Sequence, residues 1–470
     1  MKKSVWILAL GVLLAWQGMS YATTTVDALV QKLVEKGILT DKEAVQLKGE
    51  IASEEKKSQE TGFKTQLPDW VQNIKLSGDF RLRDQYQRRF IPGATGSAKN
   101  HLAQNRGRFR ARLNVEDQIN DKIKVVFGLA TEGGKDNGSL ANSRSNNVTF
   151  GGNSGGVGDN NGTFSKPYVA INKAYAVYTP NQYITLTGGK MDNPIWEPAS
   201  LLWDPDITPE GGAIQLQKKI NDYLTPFSTN AFFDLKSITP DTTTVSAKTD
   251  PYMFVSQEGI KGNLTEKVYY KAAGSYYNII NTNHLQLDNR PSAPNNMNTV
   301  SPCPGSSSAY CYQYSYNLIG ASAELGMNDP LGELLPSPLY IPQVGAFGQY
   351  FKNMNPSHQN SAWQIGGYIG NSSINGWGTW KLQSFYKVLE RDSWLDSLPD
   401  DDFYSGATNT KGWRSQLDIG LAKNTWFTVS YFHTNRFKNI NTFSNAGTSD
   451  SAYSTSAVEN LIQADLNFKF

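Results

Sequence analysis

The segment "NRGRFRARLNVEDQI", residues 105–119, sets Phe109, Ala111, Leu113 and Val115 against Arg106, Arg108, Arg110 and Arg112 on alternate positions. A repeat of two is the period of a β-strand, whose successive side chains point to opposite faces. One face is apolar and the other carries four positive charges. The segment "NIKLSGDFRLRDQ" is built the same way: Ile74, Leu76, Phe80 and Leu82 oppose Lys75, Ser77, Asp79, Arg81 and Arg83. Like charges set opposite one another on a sheet repel. A dry interior therefore cannot hold these six arginines, which need water, counter-ions or facing carboxylates.

The alternation continues along the chain. "DKIKVVFGLA" follows a tight turn at Asn120-Asp121 and puts Ile123, Val125, Phe127 and Leu129 on its apolar side. Further strands are expected to begin near Tyr168, Gln182, Gly212, Ser228, Pro251, Glu266, Tyr314, Tyr340, Ser361, Trp377, Gly412, Thr425 and Ala457, which makes 16 in all. Short links such as "TPNQ", "NLTEK" and "AKN" alternate with long Gly/Asn/Ser-rich ones at about 88–104, 132–166, 190–211, 237–250, 280–313, 391–411 and 438–455. Two links fit less well: 327–338 is long for a turn, and the loop after Tyr350 is short. Strands of ~10 alternating residues, short turns on one side and long loops on the other describe a transmembrane β-barrel. Closure also removes exposed sheet edges.

The ends of the chain agree with that destination. Residues 1–22 read as a secretory signal peptide: Lys2-Lys3, an apolar run from Val5 to Trp16, then a small-residue site that permits cleavage after Ala22. No later stretch offers the ~20 uninterrupted apolar residues of a spanning helix. At the other end, "LIQADLNFKF" alternates Ile462, Ala464, Leu466, Phe468 and Phe470 with polar residues. Tyr431, Phe437, Trp380 and Tyr386 sit where apolar faces end, as an interfacial aromatic girdle requires. A soluble sandwich core would use the same residues.

Loss of the signal peptide would remove two of 44 basic residues and none of 42 acids, so bulk charge gives no reason to expect nucleic acid as partner. Cys303 and Cys311 in an exported chain suit a small loop disulfide, with two free thiols as the alternative. Residues 23–70 differ in character. Val26, Leu29, Val30, Leu33 and Val34 fall at helical spacing, and Thr40 with Glu43 forms a capping box. Two short amphipathic helices are expected there, either packed on a partner surface or forming a periplasmic tail.

"VDALVQKLVEKGILTDKEAVQL", "FRLR", "RFRARL", "KAYAVYTP", "LTGGKMDNPIW" and "LLWDPDITPEGGAI", in that order, resemble a family of Gram-negative outer-membrane porins. The resemblance is strongest from Asp27 to about Gln217. It implies a 16-stranded diffusion pore whose third outer loop folds inward to narrow the channel, and it admits a homotrimer. The terminal Phe470, with Phe468, also resembles the C-terminal strand signal that outer-membrane proteins present to the barrel assembly machinery.

The segment after the fifth strand matches that third loop in position. It holds Pro194, Pro198, Pro205 and Pro209 together with Asp192, Glu197, Asp204, Asp206 and Glu210. Acids there, facing Arg81, Arg83, Arg106, Arg108, Arg110 and Arg112, would set a transverse field across the channel; an unselective solvated wall is the plainer alternative. A calcium site from Asp204, Asp206 and Glu210 has suitable oxygen ligands but no EF-hand spacing, and no metal or cofactor is expected. Enzymatic signals are weak as well: there is no H-E-x-x-H or P-loop, and Ser430 and His433 fall on opposite faces of one strand. The expectation is an all-β antiparallel transmembrane barrel over residues 71–470. It would act as a passive pore for small polar or anionic solutes in the outer membrane. The rival is a barrel whose long outer loops do the work, as adhesin or surface scaffold.

Overall fold

The computed structural model describes residues 73–90, 102–132, 144–151, 167–237, 250–285, 298–304, 310–332, 340–438 and 457–470. The signal peptide read over residues 1–22 and the helices read over residues 23–70 lie outside the described residues. The chain from Asn73 onward forms one unit.

Sixteen long strands build it. The first six are Ile74–Phe90 (β1), Leu102–Asn120 (β2), Ile123–Glu132 (β3), Tyr168–Asn181 (β4), Ile184–Lys190 (β5) and Glu210–Gln217 (β6). Thr225–Asp234 (β7), Tyr252–Asn263 (β8), Val268–Ile280 (β9), Tyr316–Asn328 (β10) and Gln343–Asn353 (β11) follow. Ser361–Gly370 (β12), Trp380–Leu389 (β13), Thr410–Ala422 (β14), Thr425–Arg436 (β15) and Val458–Lys469 (β16) complete the set. Each pairs antiparallel with its chain neighbours, and β1 pairs with β16 from Asp79↔Lys469 to Phe90↔Val458, so the sheet closes. A two-residue strand, Val148–Thr149, extends the pairing of β2.

Side chains within the connections shape them. The Asn120 carboxamide oxygen accepts the backbone N–H groups of Lys122 and Ile123, each at 3.0 Å, and the Asn181 oxygen accepts that of Tyr183 at 2.9 Å. These are Asx turns, in which a short side chain stands in for a backbone acceptor. Two-residue links such as 121–122, 182–183 and 423–424 share one rim of the barrel with Asn73 and Phe470, and strands β1, β3, β9 and β15 end at the other. β10 ends and β11 begins at the turn rim although the link between them is long, and the short link at 354–360 falls at the loop rim. The seam at the turn rim is tight: the N–H of Gly78 donates to the Phe470 carbonyl at 2.9 Å, and a Cβ on Gly78 would collide with the Phe470 ring and the Arg112 carbonyl.

The alternation sorts side chains inward and outward. Leu76, Leu82, Leu113, Val125, Phe127, Ile365, Trp413 and Ile462 are exposed on the outer face, whereas Arg83, Gln85, Gln87, Arg89, Gln463 and Asp465 are buried within. His433 and Ser430 take opposite faces accordingly: His433 is exposed and bonds to Asn460, and Ser430 is buried. The largest buried apolar cluster also lies inside the barrel. Inward residues of β6 to β13, among them Phe233, Met253, Tyr277, Leu318 and Phe351, pack against Met191, Leu201, Leu202 and Trp203 of segment 191–209 and Trp394 and Leu395 of segment 390–409. Trp394 meets Trp203 edge-on at 5.7 Å and Tyr277 at 5.1 Å. Burying such rings supplies much of the apolar stabilisation a barrel wall otherwise lacks. Both segments therefore fold into the barrel against this wall, and Phe403, Tyr404 and Ala407 of segment 390–409 also pack on Phe432 of β15 and Leu461 of β16.

Candidate functional site

The facing wall is made by β16, β1 and β2. Register places Arg81 opposite Arg110 and Arg83 opposite Arg108, with Asp79 opposite Arg112 and Gln85 opposite Arg106. Two like-charged pairs thus stand side by side, and acids delivered from four separate parts of the chain relieve them. Asp79 accepts from Arg110 Nη2 at 2.8 Å and from Arg112 Nε at 2.7 Å. Asp206, from segment 191–209, accepts a further N–H from each, at 3.3 and 3.2 Å. Arg83 forms a two-pronged contact with Asp465 at 2.8 and 2.9 Å and reaches Asp402 of segment 390–409 at 3.1 Å. Arg81 lies 3.8 Å from Asp465 and donates to Asn147. Such charge-assisted forks fix planar groups in place.

Arg106 and Arg108 differ from these four. They donate to the neutral side chains of Gln87 and Gln85, at 3.0 and 3.2 Å, and form no ion pair among the described residues. These two charges are therefore held by neutral hydrogen-bond partners, with the carboxylates of Asp401 and Asp402 acting on both from beyond contact distance.

The acids of the inward segment separate into distinct environments. Asp206 alone of the five contacts the arginines. Asp204 is buried and accepts the N–H groups of Asp206 and Asp401, both at 2.8 Å; its carboxylate and those of Asp400 and Asp401 lie within 4.8 Å of one another. Burial, reinforced by the neighbouring carboxylates, pushes Asp204 and Asp401 above the usual carboxylate range. The Glu197 carboxyl accepts the Leu202 N–H at 3.3 Å, and burial pushes it up to about 8. Asp192 is exposed, paired with Lys173 at 2.6 Å and bonded by the Tyr175 hydroxyl at 3.1 Å. Glu210 opens β6 on the outer face and pairs with Lys190 at 2.8 Å. Asp204, Asp206 and Glu210 do not converge.

Several contributors carried no distinctive sequence signal. Arg144 is buried and its Nη1 donates to the carbonyls of Asp396, Pro399 and Gly406 at 3.1, 3.2 and 2.9 Å, pinning segment 390–409. Asp402 lies in a loop read only as a connection. Asp79 and Asp465, by contrast, occupy polar-face positions of terminal strands, so adjacency of the first and last strands would have singled them out. Near the turn rim a cavity of about 190 Å³ is lined by Trp196, Gln215, Gln257, Lys261 and Lys271, and the Lys271 ammonium sits 4.3 Å from the Trp196 ring centre. Cys303 and Cys311 are joined by a disulfide beside the small hairpin Val300–Pro302/Tyr310–Tyr312.

Comparison with known proteins gives three results. No curated protein sequence matches the chain. Among solved structures, a triple mutant of Rhodopseudomonas blastica porin aligns over 84% of this chain and 100% of its own, at 10% identity and a TM-score of 0.38. A loop-deletion mutant of OmpT, an outer membrane protein of Vibrio cholerae, aligns over 85% and 100%, at 7% identity and a TM-score of 0.40. The family model described as "Putative porin" matches residues 94–313 and 340–470, the greater part of the chain. The chain belongs to that porin family.

Proposed function

We propose that this outer-membrane porin passes small hydrophilic solutes between the arginine wall and segment 191–209, with a preference for anions. One observation carries the reading: among the described residues Arg106 and Arg108 hydrogen-bond only to glutamines and form no ion pair, whereas the neighbouring arginines contact Asp79, Asp206, Asp402 and Asp465 directly. Cations held outside ion pairs on a pore wall attract anions, and an opposed acidic loop aligns dipolar solutes as they pass. Family membership and a closed barrel of 16 strands support the channel itself, since barrels of this size leave an aqueous lumen. The turn rim is assigned to the periplasm, together with residues 23–70, and Phe468 and Phe470 to recognition by the barrel assembly machinery.

A second reading is favoured by the apolar cluster within the barrel. Segments 191–209 and 390–409 fill one side of the lumen, as they would in a surface scaffold acting through its outer loops. Swelling of liposomes carrying the refolded protein separates the two. The porin reading predicts rapid swelling in small neutral and anionic solutes, slowing as solute size rises. Swelling no faster than in protein-free liposomes would favour the scaffold.

A further inference from the structure

Lys261 on β8 and Lys271 on β9 stand directly opposite one another in the register. They share the inward parity of buried Val255 and Gln257 on β8 and of Ala273 and Ser275 on β9, so this like-charged rung faces the lumen. It lies close to the link at 264–267, toward the turn rim. Like charges set opposite one another on a sheet repel. On the arginine wall contacting carboxylates relieve such rungs, but among the described residues none touches this one. Lys261 Nζ donates to Gln217 Oε1 at 3.1 Å, and Lys271 Nζ rests over two rings, 4.3 Å from the centre of Trp196 and 5.0 Å from that of Phe227. Glu324, the neighbour of Lys271 on β10, accepts the Tyr368 hydroxyl at 2.6 Å and acts on Lys271 from beyond contact distance.

The two lysines line the cavity of about 190 Å³ near that rim, which has room for several waters. Neutral polar side chains make up much of the rest: Thr185, Gln215, Gln217, Thr229 and Gln257. Pro194 and Trp196 of segment 191–209 complete the lining, and the wall pins both of them. Gln257 clamps the Trp196 backbone, its Oε1 accepting the N–H and its Nε2 donating to the carbonyl, each at 3.0 Å. Gln215 Nε2 donates to the Pro194 carbonyl at 3.4 Å. The indole is thereby set beside Lys271 in advance, and a site ordered in advance spends less of its binding energy on ordering.

We propose that this cavity binds short organic anions carrying two negative charges, such as dicarboxylates, as they pass through the pore. The inference rests on the channel reading, and the site is separate from Arg106 and Arg108 on the seam wall. Two neighbouring ammonium groups without a contacting acid are neutralised together by one such solute, each carboxylate meeting one lysine. The Gln217 amide and the Thr185 hydroxyl supply further donors at the same cavity. A solute with a single carboxylate leaves one ammonium unmatched, so the number of charges on the solute sets the preference.

Block of the chloride current through single channels in a planar bilayer reads the site. The succinate concentration that halves the current should lie about tenfold below that of acetate, the order of one charge-assisted hydrogen bond. Lys261→Gln combined with Lys271→Gln should raise the succinate value about tenfold in a barrel that stays heat-modifiable, and Lys271→Arg should largely preserve it. The comparison of succinate with acetate needs no variant, so it decides the matter even where the double substitution misfolds. Equal block by the two anions, no block by succinate, or a succinate value unmoved in the folded double variant would overturn the proposal and leave the channel standing. A folded barrel that conducts nothing would overturn the channel reading, and this proposal with it.

Discussion

At the scale of single residues, the arginine wall is stable because each of its like-charged rungs borrows an acid from elsewhere. Arg83 is 6% exposed and divides its donors between Asp465 and Asp402. Removing one partner of a buried ion pair leaves an uncompensated charge. Asp465→Ala is therefore expected to cost about 3 kcal/mol, the low end for such a loss, because Asp402 remains. Glu116→Ala, which breaks a pair with Lys124 whose side chains are about a third exposed, should cost under ~1 kcal/mol. Urea titration of the folded, heat-modifiable band in lipid vesicles measures both, and equal midpoints would refute the difference. The positions of the arginines followed from a period of two. Their partners did not, since Arg83 and Asp465 are 382 residues apart and meet only because the barrel closes.

At the scale of elements, the strands were legible and the inward segments much less so. Alternation over ten or more residues leaves one solution for a strand, and each of the sixteen begins close to where its apolar face predicts. Segment 191–209 offers no such repeat. Its acids were read as one set, yet local partners disperse them: Lys173 holds Asp192, Lys190 holds Glu210, and the turn at 204–206 buries Asp204 while presenting Asp206. Nor did periodicity reveal the joint between this segment and 390–409, made by Asp204, Asp400, Asp401 and the Trp203–Trp394 contact. That joint has a pH dependence. Glu197, Asp204 and Asp401 titrate above their ordinary range in the folded chain, so the folded state holds protons that the released segments would lose. Stability of the joint is greatest near the ordinary carboxylate range around pH 4 and falls as pH rises toward about 8. Cleavage by a protease within 191–209 or 390–409 should accelerate between pH 5 and pH 9 relative to an unfolded control. An unchanged ratio would show that these carboxyls do not govern the joint.

At the scale of the whole molecule, three surfaces divide the labour. In the proposed reading the outer face meets lipid, the apolar wall of β6 to β13 anchors the inward segments, and the seam wall presents charge to the lumen. The first and third follow from alternation alone. The second required the fold, because an apolar core inside a barrel of polar inner faces depends on which loops turn inward. Reversal potential in a planar bilayer under a salt gradient tests the central claim most directly, comparing the refolded protein with the double variant Arg106→Glu and Arg108→Glu. Stepwise conductance with anion preference that falls or inverts in the variant is the predicted result. A folded, heat-modifiable barrel that conducts nothing, or one whose selectivity is unmoved by the two substitutions, would contradict it.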